Sequence, residues 1–381
     1  MMRIEVDRQL LLNQLSYISR AIPNKTPHTV LMGIKFVVTE TGLYLTGSDS
    51  DITINTFLPL EIEDTQVINI EETGSIVIPG KYFIEIIRKL NGETIKISTF
   101  EGNYVTIKCG GSEYTLNGFD VNQYPNIELI KRDDAIQMEK QLLKTIIRQT
   151  VFSTANNENR PVLTGVNFRH DEEELVCIAT DSFRLSKKTV PLEKEHKPFN
   201  LVIPGRSLKD LSNILDDSAD NVEIHLSSNH VLFQFGNISF QSRLLEGLYP
   251  ETSEFVPTTV GIEIKTDFQE LFNAFDRASL IARDQFSNVV KLDIQPDKGK
   301  MLITANSPDV GKVEEEVKIE MLKGSELRIA CSALFILDAL KAINSPNSDV
   351  VIGFNGDMRP FILRDQTDET TIQLIVPVRM E

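Results

Sequence analysis

Apolar residues recur along this chain with two periods, and the two periods alternate in a repeating order. In 7–20, Leu11, Leu15 and Ile18 fall at helical spacing, and Pro23 and Pro27 end the run. Segments 33–39, 43–48, 51–60, 67–71 and 75–78 read as strands. Pro79 opens a second helix to 90 with Phe83, Ile86, Ile87 and Leu90 inward. Proline suits a helix start because its missing N–H would have no partner there. Strands at 94–100, 103–108 and 113–116 follow, then a linker at 117–130. The order then recurs. A helix at 140–152 turns Leu143, Ile146, Ile147 and Thr150 inward, and strands follow across 160–188. Next come a helix with Leu208, Leu211 and Leu215 inward, strands at 221–226, 230–235 and 238–243, and a linker at 245–258. A third pass has helices at 267–282 (Phe268, Leu271, Phe272, Phe275) and 332–343 (Leu334, Leu337, Leu340). Each helix is too short to be stable alone and must pack on a sheet. The fold class is therefore α+β, with helices on one face of antiparallel sheets.

Local motifs repeat with the pattern. Gly33-Ile34-Lys35-Phe36 is followed sixteen residues after its glycine by Asp49, and Gly165-Val166-Asn167-Phe168 is followed at the same distance by Asp181. Val289-Val290-Lys291-Leu292 precedes Asn306 in a similar way. Ile-Pro-Gly-Lys at 78–81 and Ile-Pro-Gly-Arg at 203–206 lie 125 residues apart, as do Tyr124-Pro125 and Tyr249-Pro250. Three units, 1–127, 128–255 and 256–381, account for the chain. The most specific corner is Thr180-Asp181-Ser182-Phe183-Arg184-Leu185.

Composition changes this picture little. The 381 residues are 41% hydrophobic and 25% charged, as in a globular protein. No apolar run nears the ~18 residues a membrane span needs, and the start runs directly into a strand, so no signal peptide is read. Cys109, Cys177 and Cys331 fall one per unit and read as reduced core thiols in the cytoplasm.

Charge matters more. The net charge is −16, which alone argues against nucleic acid. Its distribution argues otherwise. The four helices of the first two units carry ten basic residues against four acidic ones. Lys140, Lys144 and Arg148 fall at i, i+4 and i+8 and read as one basic ridge. Lys81, Arg88 and Lys89 oppose Phe83 and Ile87, and Arg206 and Lys209 do the same in the second unit.

Catalytic signatures are missing from the sequence. There is no glycine-rich phosphate loop, no nucleophile elbow and no paired Cys or His spacing for a metal. The five histidines read as surface residues. The acidic runs 171–174 and 314–316 read as a solvated turn or edge. Asp49, Asp181 and Asn306 recur at equivalent places, which marks a shared turn whose side chain bonds nearby backbone. No catalytic, cofactor or metal residue is assigned. A metal-dependent hydrolase built on the repeated Asp residues, or a monomeric peptide-binding scaffold, stands as the alternative.

Several residues together resemble the bacterial sliding clamps, the beta subunits of DNA polymerase III. They are Ala-Thr-Asp-Ser-Phe-Arg-Leu at 179–185, Ile-Pro-Gly before two helices, Tyr-Pro at unit ends, Thr-Ala-Asn at 304–306 and Ile-Val-Pro-Val-Arg-Met at 375–380. Phe183 stands where the family often has His, and Glu381 extends the tail. The resemblance covers the whole chain. It implies a head-to-tail homodimeric ring of six units around double-stranded DNA, with helices lining the hole. Such a ring tethers the replicative polymerase's catalytic subunit and other proteins carrying clamp-binding motifs, and a loader ATPase opens it.

The resemblance also implies sites. Lys25 and Lys81 would contact DNA, joined by Arg88, Lys140, Lys144, Arg148, Arg206 and Lys209 from the basic faces. Tyr114 and Leu116 would meet Leu280 and Ile281 of a second copy. A partner-peptide pocket would use Leu163, Thr180, Arg184, Leu185, Pro250 and Phe286. Met358, Pro360, Leu374, Ile375 and Val376 would continue it, with Pro377, Val378, Arg379 and Met380 from the tail. An apolar cleft with a few polar groups suits a short peptide.

Overall fold

The computed structural model describes residues 1–381 except 158, 172, 193–195, 219, 284–287, 380 and 381. Its described α-helices are α1 (Arg8–Ile18), α2 (Gly80–Lys89), α3 (Lys140–Thr150), α4 (Gly205–Ser212), α5 (Phe268–Ala282) and α6 (Ala333–Ile343). Each follows directly on a strand, and the residue types at the junctions explain how the chain changes course. Asp7 caps α1 by accepting from Leu10 N at 2.8 Å, and Asp267 caps α5 by accepting from Glu270 N at 2.7 Å. α2 and α4 start instead on glycine. A Cβ on Gly80 would stand 2.7 Å from Ile22 Cδ1, and one on Gly205 would stand 3.0 Å from Thr154 Oγ1. Pro79 ends the preceding strand and caps α2 from outside, one position before the first turn expected for it.

The chain forms two compact bodies, Met1–Leu142 with Asp210–Leu244, and Leu143–Lys209 with Leu245–Glu381. The first holds a five-stranded and an eight-stranded antiparallel sheet. In the larger sheet, strand Ile238–Arg243 of the second repeat pairs with Ile52–Pro59 of the first, Phe240 opposite Ile54. The second body holds a nine-stranded and a four-stranded sheet. There, Arg184–Pro191 of the second repeat pairs with Thr371–Ile375 of the third, Leu185 opposite Leu374. Backbone hydrogen bonds therefore stitch each repeat to the next, and the middle repeat is divided between both bodies.

The helix faces that pack are those the periodicity marks, with shifts. Leu11, Leu15 and Ile18 are fully buried on α1. On α2 the buried stripe runs through Gly80, Phe83, Ile84 and Ile87, so Ile86 is only half-buried. Phe83 packs edge-on against Phe36 at 5.2 Å. On α6 the stripe passes through Ala333, Ile336, Leu337, Leu340 and Ile343, which leaves Leu334 43% exposed rather than inward. Phe272 of α5 is half-buried, and Ala274 and Ala278 take the inner positions. Residues 161–164 form a 3-10 turn before the strand Gly165–Asp171, so Val162 lies outside the strand expected to hold it.

Two histidines also depart from expectation. His170 and His225 are buried, not surface residues. His170 Nδ1 lies 3.0 Å from Glu174 O, and His225 Nδ1 lies 3.0 Å from Arg132 N, which donates to it when that nitrogen is unprotonated.

Candidate functional site

The site grows from the repeated corner. Asp181 Oδ1 accepts from Phe183 N at 2.9 Å and Arg184 N at 3.0 Å. Thr180 Oγ1 accepts from Ser182 N and donates to Arg184 O at 2.6 Å. The first repeat reproduces the arrangement. Asp49 Oδ1 accepts from Asp51 N at 3.0 Å and Ile52 N at 2.8 Å, and Ser48 Oγ donates to Ile52 O at 3.0 Å. Ser50 and Ser182 share a left-handed backbone, with φ of 82° and 80°. In the third repeat Ser307, next to Asn306, accepts from Asp309 N at 3.3 Å and Val310 N at 3.2 Å. These carboxylates hold turns. Among the described residues no group of His, Cys, Asp and Glu could hold a metal, and the hydrolase alternative finds no support.

In the second body the corner carries Arg184 into a confined place. Its side chain is 10% exposed. Nε donates to Asp181 Oδ2 at 3.0 Å, and Nη1 donates to Asp338 Oδ2 on α6 at 2.7 Å. The guanidinium lies 4.6 Å from the Phe335 ring and 5.3 Å from the Phe152 ring. A planar, weakly hydrated cation between two rings and two carboxylates is the setting in which arginine outperforms lysine.

Beside it, Ile178, Leu185, Ile362 and Leu374 form an apolar floor, flanked by Val176, Tyr249, Val256, Val260, Ile372 and Val376. Tyr249 Oη accepts from Thr180 N at 3.0 Å, and burial pushes its hydroxyl pKa upward. The tail closes one side, with Val376 N donating to Phe183 O at 2.9 Å and Val378 N to Ala330 O at 2.7 Å. Thr180, Arg184, Leu185, Leu374, Ile375 and Val376 are thus brought together. Phe183 and Met358 are 63% and 57% exposed, and Pro250 and Arg379 are exposed as well. Pro360 and Pro377 are half-buried. Leu163 is buried in the 3-10 turn, its carbonyl accepting from Ala155 N. Phe286, Met380 and Glu381 lie outside the described residues. Asp338 and Tyr249 were missed as site residues. The Tyr-Pro repeat marks Tyr249, whereas nothing local marks Asp338.

The basic ridge on α3 does not hold as a single outward face. Lys140 is buried. Its Nζ reaches Asp216 at 3.1 Å, Ser218 at 2.8 Å and Asp220 at 3.4 Å. A hydrogen bond from Ser218, together with Lys140, holds the Asp216 carboxyl at about 2. Lys140 is therefore a structural cation rather than part of the outward basic ridge expected for it. Arg148 Nη1 donates to Ala342 O near the end of α6, a site where the helix dipole favours a cation. Arg88 pairs with Glu85. Lys25, Lys81, Lys89, Arg206 and Lys209 are exposed and Lys144 is half-buried.

Sheet edges complete the inventory. Strand Ser112–Asn117 ends the five-stranded sheet, with Tyr114 42% exposed and Leu116 half-buried. Strand Gly311–Lys318 ends the four-stranded sheet. Its acidic run is paired, Glu315 with Arg277 at 2.6 Å and Glu316 with Lys300 at 2.5 Å. On α5, Leu280 is 63% exposed while Ile281 packs partly against the core. Cys109, Cys177 and Cys331 are free and buried, and burial pushes the Cys331 thiol up to about 12. No helix among the described residues is long and apolar enough to cross a membrane.

Comparison with known proteins agrees along the whole chain. The models of the DNA polymerase III beta subunit match in order: the N-terminal domain over residues 2–128, the central domain over 137–251 and the C-terminal domain over 253–379. The chain is 42% identical to the beta sliding clamps of Staphylococcus epidermidis and Staphylococcus aureus, covering 100% of each chain. The solved sliding clamp of Bacillus subtilis superposes with a TM-score of 0.95 at 40% identity, and the beta chain of Streptococcus pneumoniae with 0.94 at 38%, each over 100% of both chains. With three successive domains matched and successive repeats joined by paired strands within each body, this chain belongs to the DNA polymerase III beta subunit family, the bacterial beta sliding clamps.

Proposed function

We propose that two copies of this chain close head to tail into a ring that encircles duplex DNA and holds the replicative polymerase on its template, without catalysis of its own. One observation carries the reading. The joints between repeats are already made by paired edge strands, and the two sheets at the ends of the series keep edges with a neighbour on one side only, Ser112–Asn117 and Gly311–Lys318. An exposed edge invites another chain, and unlike surfaces that meet head to tail close a ring when the rotation closes. Tyr114 and Leu116 would then face Leu280 and Ile281 of a second copy. The repeats would be bounded at 1–127, 128–255 and 256–381.

DNA would be held by Lys25, Lys81, Arg88, Lys144, Arg148, Arg206 and Lys209 through phosphate contacts that carry no sequence information. Screening over about 8 Å at physiological salt lets a local basic surface act within an acidic chain. The groove at Leu185 and Leu374 would take short apolar segments of the polymerase subunit and of other clamp-binding proteins, with Leu163, Pro250, Met358 and the 375–379 tail as walls. A loader ATPase would open the ring. The protein would work in the cytoplasm.

The test is retention on DNA. The protein is loaded with its loader onto a nicked circle, the complex is isolated, salt is raised, and the circle is then cut. Release only after cutting is expected. Loss with salt before cutting would mean ordinary electrostatic binding and would overturn the ring.

A further inference from the structure

The first body contains a cavity of about 210 Å³ lined by Lys35, Tyr44, Thr46, Thr53, Asn55 and Tyr124, with Ile127 and Leu129 closing it from the linker. Its position is that of the apolar partner groove, one repeat earlier. Lys35 pairs with Thr46 as Asn167 pairs with Ile178, and Thr46 pairs with Asn55 as Ile178 pairs with Lys187. Tyr124 stands 125 residues before Tyr249. The same place in the fold has been given different chemistry. Thr46 and Thr53 replace Ile178 and Leu185 on the floor, and Lys35 replaces Asn167.

One side has also been covered. Gln241 pairs with Thr53 where Leu374 pairs with Leu185. Buried Gln241 accepts from Ile130 N at 3.0 Å and donates to Glu128 O at 3.2 Å, pinning the linker over the cavity. A leucine at the corresponding place cannot do this.

The interior is ready for one kind of ligand. Lys35 Nζ lies 5.8 Å from the Tyr124 ring and has no carboxylate partner among the described residues. Thr46 Oγ1 accepts from Asn55 Nδ2 at 2.9 Å, which leaves its own hydrogen to donate. Tyr44, Tyr124, Ile127 and Leu129 offer apolar walls. A half-buried ammonium beside hydroxyl donors selects an anion, and the walls select an apolar or aromatic body. We propose that this cavity binds a carboxylate carried on an aromatic or branched apolar body, either as a small molecule or as the C-terminal residue of a peptide. The site is separate from the partner groove.

The test is calorimetry on the full-length protein with N-acetyl-phenylalanine and N-acetyl-phenylalaninamide. The acid is expected to bind, and the amide at least about tenfold more weakly, the size of one lost charge-assisted contact. Lys35→Met should reduce acid binding by a similar factor. Thr46→Ile with Thr53→Leu, which restores the second repeat's floor, should abolish it. Melting temperatures of the variants check folding, and Lys35→Met serves if the double variant fails to fold. A tetrapeptide ending in phenylalanine with a free carboxylate separates the two sources. Binding of both it and the acid assigns a chain terminus, and binding of the acid alone assigns a small molecule. Equal binding of acid and amide, unchanged binding by Lys35→Met, or no heat with the acid at millimolar concentration would overturn the proposal. Binding is read on free protein, so failure here is distinct from failure of the ring.

Discussion

Arg184 and Asp338 meet at 2.7 Å although 154 residues separate them. One sits in the repeated corner beside the Ile178–Leu185–Leu374 cluster, the other on α6. The pair ties the second repeat to the third through a nearly buried guanidinium. Arg184→Ala would leave Asp181 and Asp338 facing each other without their cation. The expected cost is about 3 kcal/mol, the low end for breaking a buried pair. Chemical denaturation of Arg184→Ala, Asp338→Ala and the double variant checks it. The double variant should cost less than the sum of the singles.

Two buried lysines set an acid limit. Lys188 Nζ reaches Asp368 at 3.0 Å, Thr370 at 2.6 Å and Thr371 at 3.0 Å. Burial alone would raise the Asp368 carboxyl, but hydrogen bonds from Thr370, Lys188 and Thr371 outweigh it and hold the group at about 2. Asp216 beside Lys140 also stands at about 2. Both lie below the unfolded value of about 3.9. Their stabilisation is therefore complete above about pH 4 and is lost as pH falls toward 2. Asp368→Asn and Asp216→Asn should destabilise at pH 7 and converge with the parent protein near pH 2. The effect should be larger for Asp368, whose side chain is 30% exposed against 64% for Asp216. Denaturation midpoints across pH 2–7 measure it.

The basic residues divide into two kinds by where they lie. Lys25→Ala, Lys81→Ala, Arg206→Ala and Lys209→Ala should each lower the salt slope of binding to linear duplex by about 1. Lys140→Ala should leave the slope unchanged and lower the melting temperature, because its ammonium is held by Asp216 and Asp220. A slope change for Lys140→Ala would restore it to the DNA surface.

Leu280 is exposed on α5, so an added charge there does not disturb the core. On the proposed head-to-tail ring, light scattering should give a dimer mass for the parent protein and a folded monomer for Leu280→Asp. A dimer mass for the variant would refute the interface at that residue.

Much of the fold is legible in local pattern. Strands 33–39 and 94–100 carry alternating burial over nearly all of the bounds that the period predicts. The repeated corner is legible too, because Asp49 and Asp181 act on backbone only two and three residues away. What was not legible depends on distant chain. Helical spacing places Lys140 and Lys144 on one ridge but cannot see the loop 76 residues on that draws Lys140 inward. His225 reads as a surface residue until Arg132, from the segment before α3, packs against it. Asp338 reads as an outward acid on α6, and only the strand carrying Arg184 gives it a purpose. Leu334 reads as core because a three-residue step fits both the true stripe and its neighbour.

The middle repeat lends strands to both bodies, and this separates two ways of counting. By recurrence of sequence the chain has three parts. By compactness it has two, because one sheet of each body takes strands from the middle repeat. An isolated middle repeat would expose Arg184–Pro191 and Ile238–Arg243 as bare edges, the condition that leads strands to aggregate. The module that repeats in the sequence is therefore not a module that can be cut out, moved or replaced by itself. Any exchange of parts between relatives of this chain would have to follow the sheets, with junctions inside α3 and α4 and at Leu244–Leu245.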